Sequence, residues 1–108
     1  MTKEIDTLGL SYTTNKVAAL EVHVGRSISE IIAELQSEKG ASLATLRAAV
    51  AAGRIRFPDA LIGHIAVQME LGDAGRLIDE YGTAVVGSAV GAQLGDFLRT
   101  LSAEREAA

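Results

Sequence analysis

The chain contains no cysteine, so neither a disulfide framework nor a thiolate metal site can form. This fits a reducing compartment, and a cytoplasmic location is the expectation. There is one proline and no tryptophan, and aromatic residues make up only 4% of the chain. The core must therefore be assembled from Leu, Ile, Val and Ala. The only histidines are His23 and His64, and neither has a second ligand at His-x-x-x-His spacing, so no metal is expected. Excess positive charge is also missing, since 10 basic against 14 acidic residues leave a net charge of −4. Wrapping a phosphate backbone requires clustered Lys and Arg, so nucleic acid is not the expected partner. No run of about 18 apolar residues is present to span a bilayer. No basic amphipathic helix points to a membrane surface. The opening residues Met1-Thr2-Lys3-Glu4-Ile5-Asp6 lack an apolar signal region, so no secretory signal is expected.

What is present reads as one mainly α domain over residues 1–108. Hydrophobic residues make up 48% and charged residues 22%, a globular balance. The pattern predicts a compact bundle of five or six short helices. Leu8, Leu10 and Tyr12 alternate with small or polar residues, so residues 1–13 hold either a short strand or an extended arm. Thr13 or Thr14 can cap a first helix with Val17, Leu20 and Val24 on one face, ending at Gly25. Ser27 and Glu30 have capping-box spacing. Ile28, Ile31, Ile32 and Leu35 follow at i, i+3, i+4 and i+7, the clearest amphipathic signal in the chain, and Gly40 closes that helix. Ser42 can cap a third helix, with Leu43, Leu46 and Val50 inward and Gly53 as its stop. Pro58 suits the first turn of a fourth helix, with Leu61, Ile62, Ile65 and Met69 buried, stopping at Gly72. Asp73 then caps a short helix with Leu77, Ile78 and Tyr81 inward, ending at Gly82. Thr83 caps the last helix, which runs to about Ser102 with Val86, Val90, Leu94, Phe97, Leu98 and Leu101 on its apolar face. Residues 103–108 are expected to fray. The expected core includes Ile31, Ile32, Leu35, Leu46, Ile65 and Leu98.

Chemistry-bearing constellations are sparse, and no enzyme activity or cofactor is expected. Val22-His23-Val24 sets His23 beside an apolar face, which favours a structural role. Asp79 and Glu80 are adjacent, and adjacent helix positions point about 100° apart, so they are no convergent acid/base pair. Gly72-Asp73-Ala74-Gly75 is not followed by the Gly-Lys-Ser/Thr of a phosphate loop. Arg47, Arg54 and Arg56 form a loose basic cluster at the end of the third helix, where cations favour the helix dipole. Gly87, Gly91 and Gly95 are the unusual feature. Their spacing of four lines them along one helical stripe, although each costs roughly 1 kcal/mol relative to alanine in a helix interior. They mark either a close packing seam, internal or with a partner, or a locally weak helix.

Three stretches, in order, carry a family resemblance. They are Leu10-Ser-Tyr-Thr-Thr-Asn-Lys-Val-Ala-Ala-Leu-Glu21, then Gly25-Arg-Ser-Ile-Ser-Glu-Ile-Ile-Ala-Glu-Leu35 with Gly40-Ala-Ser-Leu-Ala-Thr-Leu-Arg-Ala-Ala-Val-Ala-Ala-Gly53, then Ala74-Gly-Arg-Leu-Ile-Asp-Glu-Tyr-Gly82 before an alanine- and glycine-rich helix. On these the chain resembles the tail assembly chaperones, small proteins of phage and gene-transfer-agent tail clusters, some of which are labelled tail tube proteins. One departure is that few residues precede Leu8, where relatives usually carry an additional strand. The resemblance implies a cytoplasmic, non-catalytic protein of tail morphogenesis. Its partner would be the tape-measure protein, kept soluble until tube subunits polymerise around it, or another tail protein. The alternatives are a tube-associated structural subunit and a small helical DNA-binding regulator.

Overall fold

Local caps explain where several of the helices begin and end. In the computed structural model, whose described backbone covers residues 8–38, 40–54 and 63–107, the Thr13 side chain accepts the Lys16 N–H and starts α1, Thr14–Val24. Gly25 ends it at φ 80, with its N–H bonded to the Glu21 carbonyl, in the left-handed region that suits glycine. Ser27 opens α2, Ile28–Gln36, through a complete capping box with Glu30. The Ser27 backbone N–H and then its hydroxyl hold the Glu30 carboxyl below the ordinary carboxylate range. Ser27→Ala should therefore cost about 1 kcal/mol, and Ser29→Ala less than about 0.5 kcal/mol. Chemical denaturation of both variants checks the difference. α2 ends at Ser37 rather than at Gly40, which lies at φ 73 in the following turn. The Ser42 hydroxyl accepts the Thr45 N–H at 3.1 Å and caps α3, Leu43–Arg54.

Two boundaries differ from the sequence expectation. Residues Gly63–Tyr81 form one helix, α4, so the expected stop at Gly72 and fresh cap at Asp73 do not occur. Val67, Ala74 and Ile78 are buried along one side of it. Continuous packing on that side outweighs the roughly 1 kcal/mol cost of an interior glycine. Asp73 instead pairs with Arg76 one turn on. Gly82, at φ 87, separates α4 from α5, Thr83–Ala107. Its carbonyl accepts the Val86 N–H at 3.1 Å, so Gly82 holds the cap position and Thr83 is already helical. α5 continues past Ser102 because Ala103-Glu104-Arg105-Glu106-Ala107 are strong helix formers. Among the described residues the result is a bundle of five helices with no strand. Pro58, Leu61, Ile62 and Arg56, and the side chains of His64 and Ile65, lie outside the described residues.

α3 is the central helix and packs on α4, α1 and α5. From Ala48 to Gly53 every residue is buried, the mark of a helix apolar all round. Its alanines keep that segment narrow enough for neighbours on several sides. Ile31 and Leu46 are buried as expected, and Ile32 and Leu35 are half-buried against the core. Leu98 is half-buried. Three residues expected inside are exposed: Met69 (78%), Leu43 (64%) and Tyr81 (38%). Met69 follows the buried Val67 by two positions, about 200° around the helix, so the true stripe of α4 turns it outward. Leu43 is the first residue of α3 and stands clear of the packed turns.

Residues 8–13 form an arm rather than a strand. Leu8 (φ 54) and Gly9 (φ 72) make a turn, after which Leu10 is buried. Ser11 donates its N–H to the Gly53 carbonyl at 3.0 Å, and the Tyr12 hydroxyl donates to the Ala49 carbonyl at 2.7 Å. Gly53 itself is helical, one residue before the end of α3 at Arg54. A Cβ there would lie 2.8 Å from Leu10 Cδ2 and 2.9 Å from Tyr12 Cζ. The glycine lets the arm lie across the helix. The radius of gyration, 13.1 Å, is that of one compact body of this length, about 13 Å.

Candidate interaction surface

Between Thr83 and Gly95, α5 carries no charged residue. Val86, Val90 and Leu94 point into the core and are buried. Ala84, Ser88, Gly91 and Ala92 are exposed. The expected glycine stripe lies on the open side. A Cβ at Gly87 or Gly91 would meet nothing within 4 Å, and at Gly95 only the Arg99 side chain of the same helix, at 3.5 Å. Among the described residues no other element lies within 4 Å of such a Cβ, so the stripe is not closely packed inside the bundle. The helix is also unbroken through all three glycines. What remains is an uncharged helix surface on which a second backbone could lie closely.

Gly87 also borders a cleft of about 580 Å³ between the end of α2 and the start of α5. Leu35, Ala41 and Leu46 form its apolar side, and Ala84, Gly87 and Ser88 form the opposite wall. The glycine spacing was the only sequence signal near it, because the cleft depends on how α2 leans on α5.

A polar clasp beside this cleft was not legible in the sequence. The Glu34 carboxylate on α2 accepts the Ser42 N–H at 2.6 Å and pairs with Arg26. Arg26 donates a second bond to the Thr45 hydroxyl at 2.7 Å. Thr45 is buried, and its Oγ1 lies 3.0 Å from the Ser42 hydroxyl. The Ser42 N–H, followed by Arg26, holds the Glu34 carboxyl below its ordinary range against partial desolvation. A lowered folded-state pKa stabilises the fold above the unfolded value, and this contribution disappears as pH falls through the folded value. The Glu34 carboxylate thus stays ionised at neutral pH, and the stability that its bonds contribute is lost in acid. At the other end of α2, Glu21 accepts the Ile28 N–H at 2.7 Å.

The remaining candidates do not converge. Arg47 is exposed and lies along Gly75 of α4, while Arg54 is half-buried at the end of α3. His23 is half-buried near Arg26, Thr45 and Arg47, around a hollow of about 220 Å³. Asp79 and Glu80 are both exposed on α4. Among the described residues no three His, Cys, Asp or Glu side chains gather as a metal site, and no helix is long and apolar enough to cross a membrane.

The fold and this surface define a small helical bundle with an open glycine stripe and an adjoining cleft. Comparison with protein-family models, curated proteins and solved structures gives no match.

Proposed function

We propose that the chain is a non-catalytic assembly factor for a phage-type tail, a tail assembly chaperone that holds a helical segment of the tape-measure protein. The observation that carries this reading is the ordered resemblance, whose stretches fall on the arm with α1, on α2 with α3, and on the end of α4 before the glycine-rich α5. The open stripe of Gly87, Gly91 and Gly95 supports it. An uncharged face without side-chain bulk suits a second helix laid alongside.

Co-expression with the tape-measure protein tests the reading. The wild-type chain should retain it in a pull-down. Gly91→Leu should raise stability by about 0.5–1 kcal/mol, because leucine is the better helix former and nothing crowds the site. The same change should weaken retention at least about tenfold by placing a side chain in the seam, the equivalent of 1.4 kcal/mol or more. Failure of the wild type to retain the tape-measure protein counts against the chaperone assignment. Undiminished retention by a well-folded Gly91→Leu variant moves the binding face elsewhere.

A further inference from the structure

α2 is the most lightly held helix of the bundle. Ile31 is its one buried residue, whereas α3 is buried along most of its length. It packs on α5 and α1, and its tie to α3 is the polar clasp rather than broad apolar contact. Its two ends are held differently. The first turn is fixed to α1 by the Glu21–Ile28 bond and closed by the Ser27–Glu30 box. The last turn is held by Leu35, half-buried against the core, and by the one polar tie of Glu34 to the Ser42 N–H and Arg26. Glycines in the left-handed conformation stand on either side, Gly25 at φ 80 and Gly40 at φ 73, each with open space around it. Residues that absorb backbone rotation at the ends of an element are what a hinge requires.

We propose that α2 is a latched flap that pivots near Gly25 and is held shut at its C-terminal end by the Glu34 carboxylate. Opening breaks the bonds to Ser42 and Arg26 and leaves the Glu21–Ile28 bond intact. It swings Leu35 away from the cleft it walls and uncovers Ile31 and Ile32. The flap turns a closed bundle into one that offers an aliphatic groove between α2 and α5. This inference concerns the isolated chain and does not depend on what binds it.

Native-state hydrogen exchange followed by NMR tests it without a partner. In the wild type, the amides of Ile31, Ile32 and Leu35 should exchange together through an opening smaller than global unfolding. Val50, Val67 and Val90, all fully buried, should report the global event. Glu34→Ala should speed exchange of the α2 group at least about tenfold, through loss of charge-assisted bonds, and leave the Val50, Val67 and Val90 amides unchanged. Glu38→Ala, at an exposed position outside the clasp, should change neither group. Arg26→Leu removes the ion pair but keeps the Ser42 bond, and should give a smaller acceleration of the α2 group alone. If the α2 amides exchange at the rate of the core in the wild type, α2 is no flap. If Glu34→Ala leaves the α2 group unchanged, or accelerates both groups equally, Glu34 is no latch. Should Glu34→Ala fail to fold, the wild-type pattern decides the flap and Arg26→Leu decides the latch.

Discussion

Leu20→Ala is expected to be among the most damaging single truncations in this chain, at about 2–5 kcal/mol. Leu20 is fully buried on α1, and α1 packs against both α3 and α4. Removing its isobutyl group leaves a void between helices that cannot close without moving the alanine-rich α3. A domain of this size has roughly 5–15 kcal/mol of stability in total, so the variant sits near the edge of folding. At roughly 4–8 °C per kcal/mol for small domains, the melting temperature should fall by roughly 8–40 °C. Met69→Ala removes a side chain of similar size that is 78% exposed, and should change stability by less than about 0.5 kcal/mol. Thermal melts of the two variants side by side make the test. Equal losses would mean that the buried stripe of α4 has been assigned to the wrong side.

Those two residues also show where the sequence could be read and where it could not. Val17 and Leu20, or Ile28 and Ile31, repeat at helical spacing between recognisable caps, so local chemistry alone identifies their helices and inward faces. Met69 was misplaced because apolar residues occur on more than one side of α4, and only the position of α3 decides which side is covered. The boundary at Gly72 failed for the same reason: a glycine ends a helix only when packing on both sides of it does not continue. The alanines of α3 do carry a signal: a run from Ala48 to Ala52 without a polar residue is what a helix surrounded by others requires. For the interaction surface, spacing alone found Gly87, Gly91 and Gly95 but could not tell an internal seam from an open one. The clasp was invisible because Arg26, Glu34, Ser42 and Thr45 belong to three separate segments, and their convergence is set by tertiary packing.

Gly53 gives the sharpest separation between a local and a tertiary reading, because the two predict opposite signs. A glycine that merely ended α3 would be replaceable, and leucine there would gain about 0.8–1 kcal/mol of helix propensity. In the folded chain a Cβ at this position would run into Leu10 and Tyr12 at under 3 Å. Gly53→Leu is therefore expected to lift the arm. That exposes Leu8 and Leu10, each worth about 1.5–3 kcal/mol of burial, and breaks the Tyr12–Ala49 and Ser11–Gly53 bonds. Freed from the bundle, the arm regains backbone entropy, which offsets part of this. The expected outcome is a net loss of stability rather than a gain, with helical circular dichroism largely retained. Tyr12 provides a direct readout. Tyr12 is half-buried with its hydroxyl bonded to the Ala49 carbonyl, and burial pushes that hydroxyl above the ordinary phenol range, so in the wild type it should titrate above the usual phenol value. In Gly53→Leu it should titrate near the usual phenol value of about 10. Tyr81 is the only other tyrosine, and absorbance titration in a Tyr81→Phe background isolates the signal. A Gly53→Leu protein that is more stable than wild type, with Tyr12 still resistant to ionisation, would show that the arm does not rest on α3.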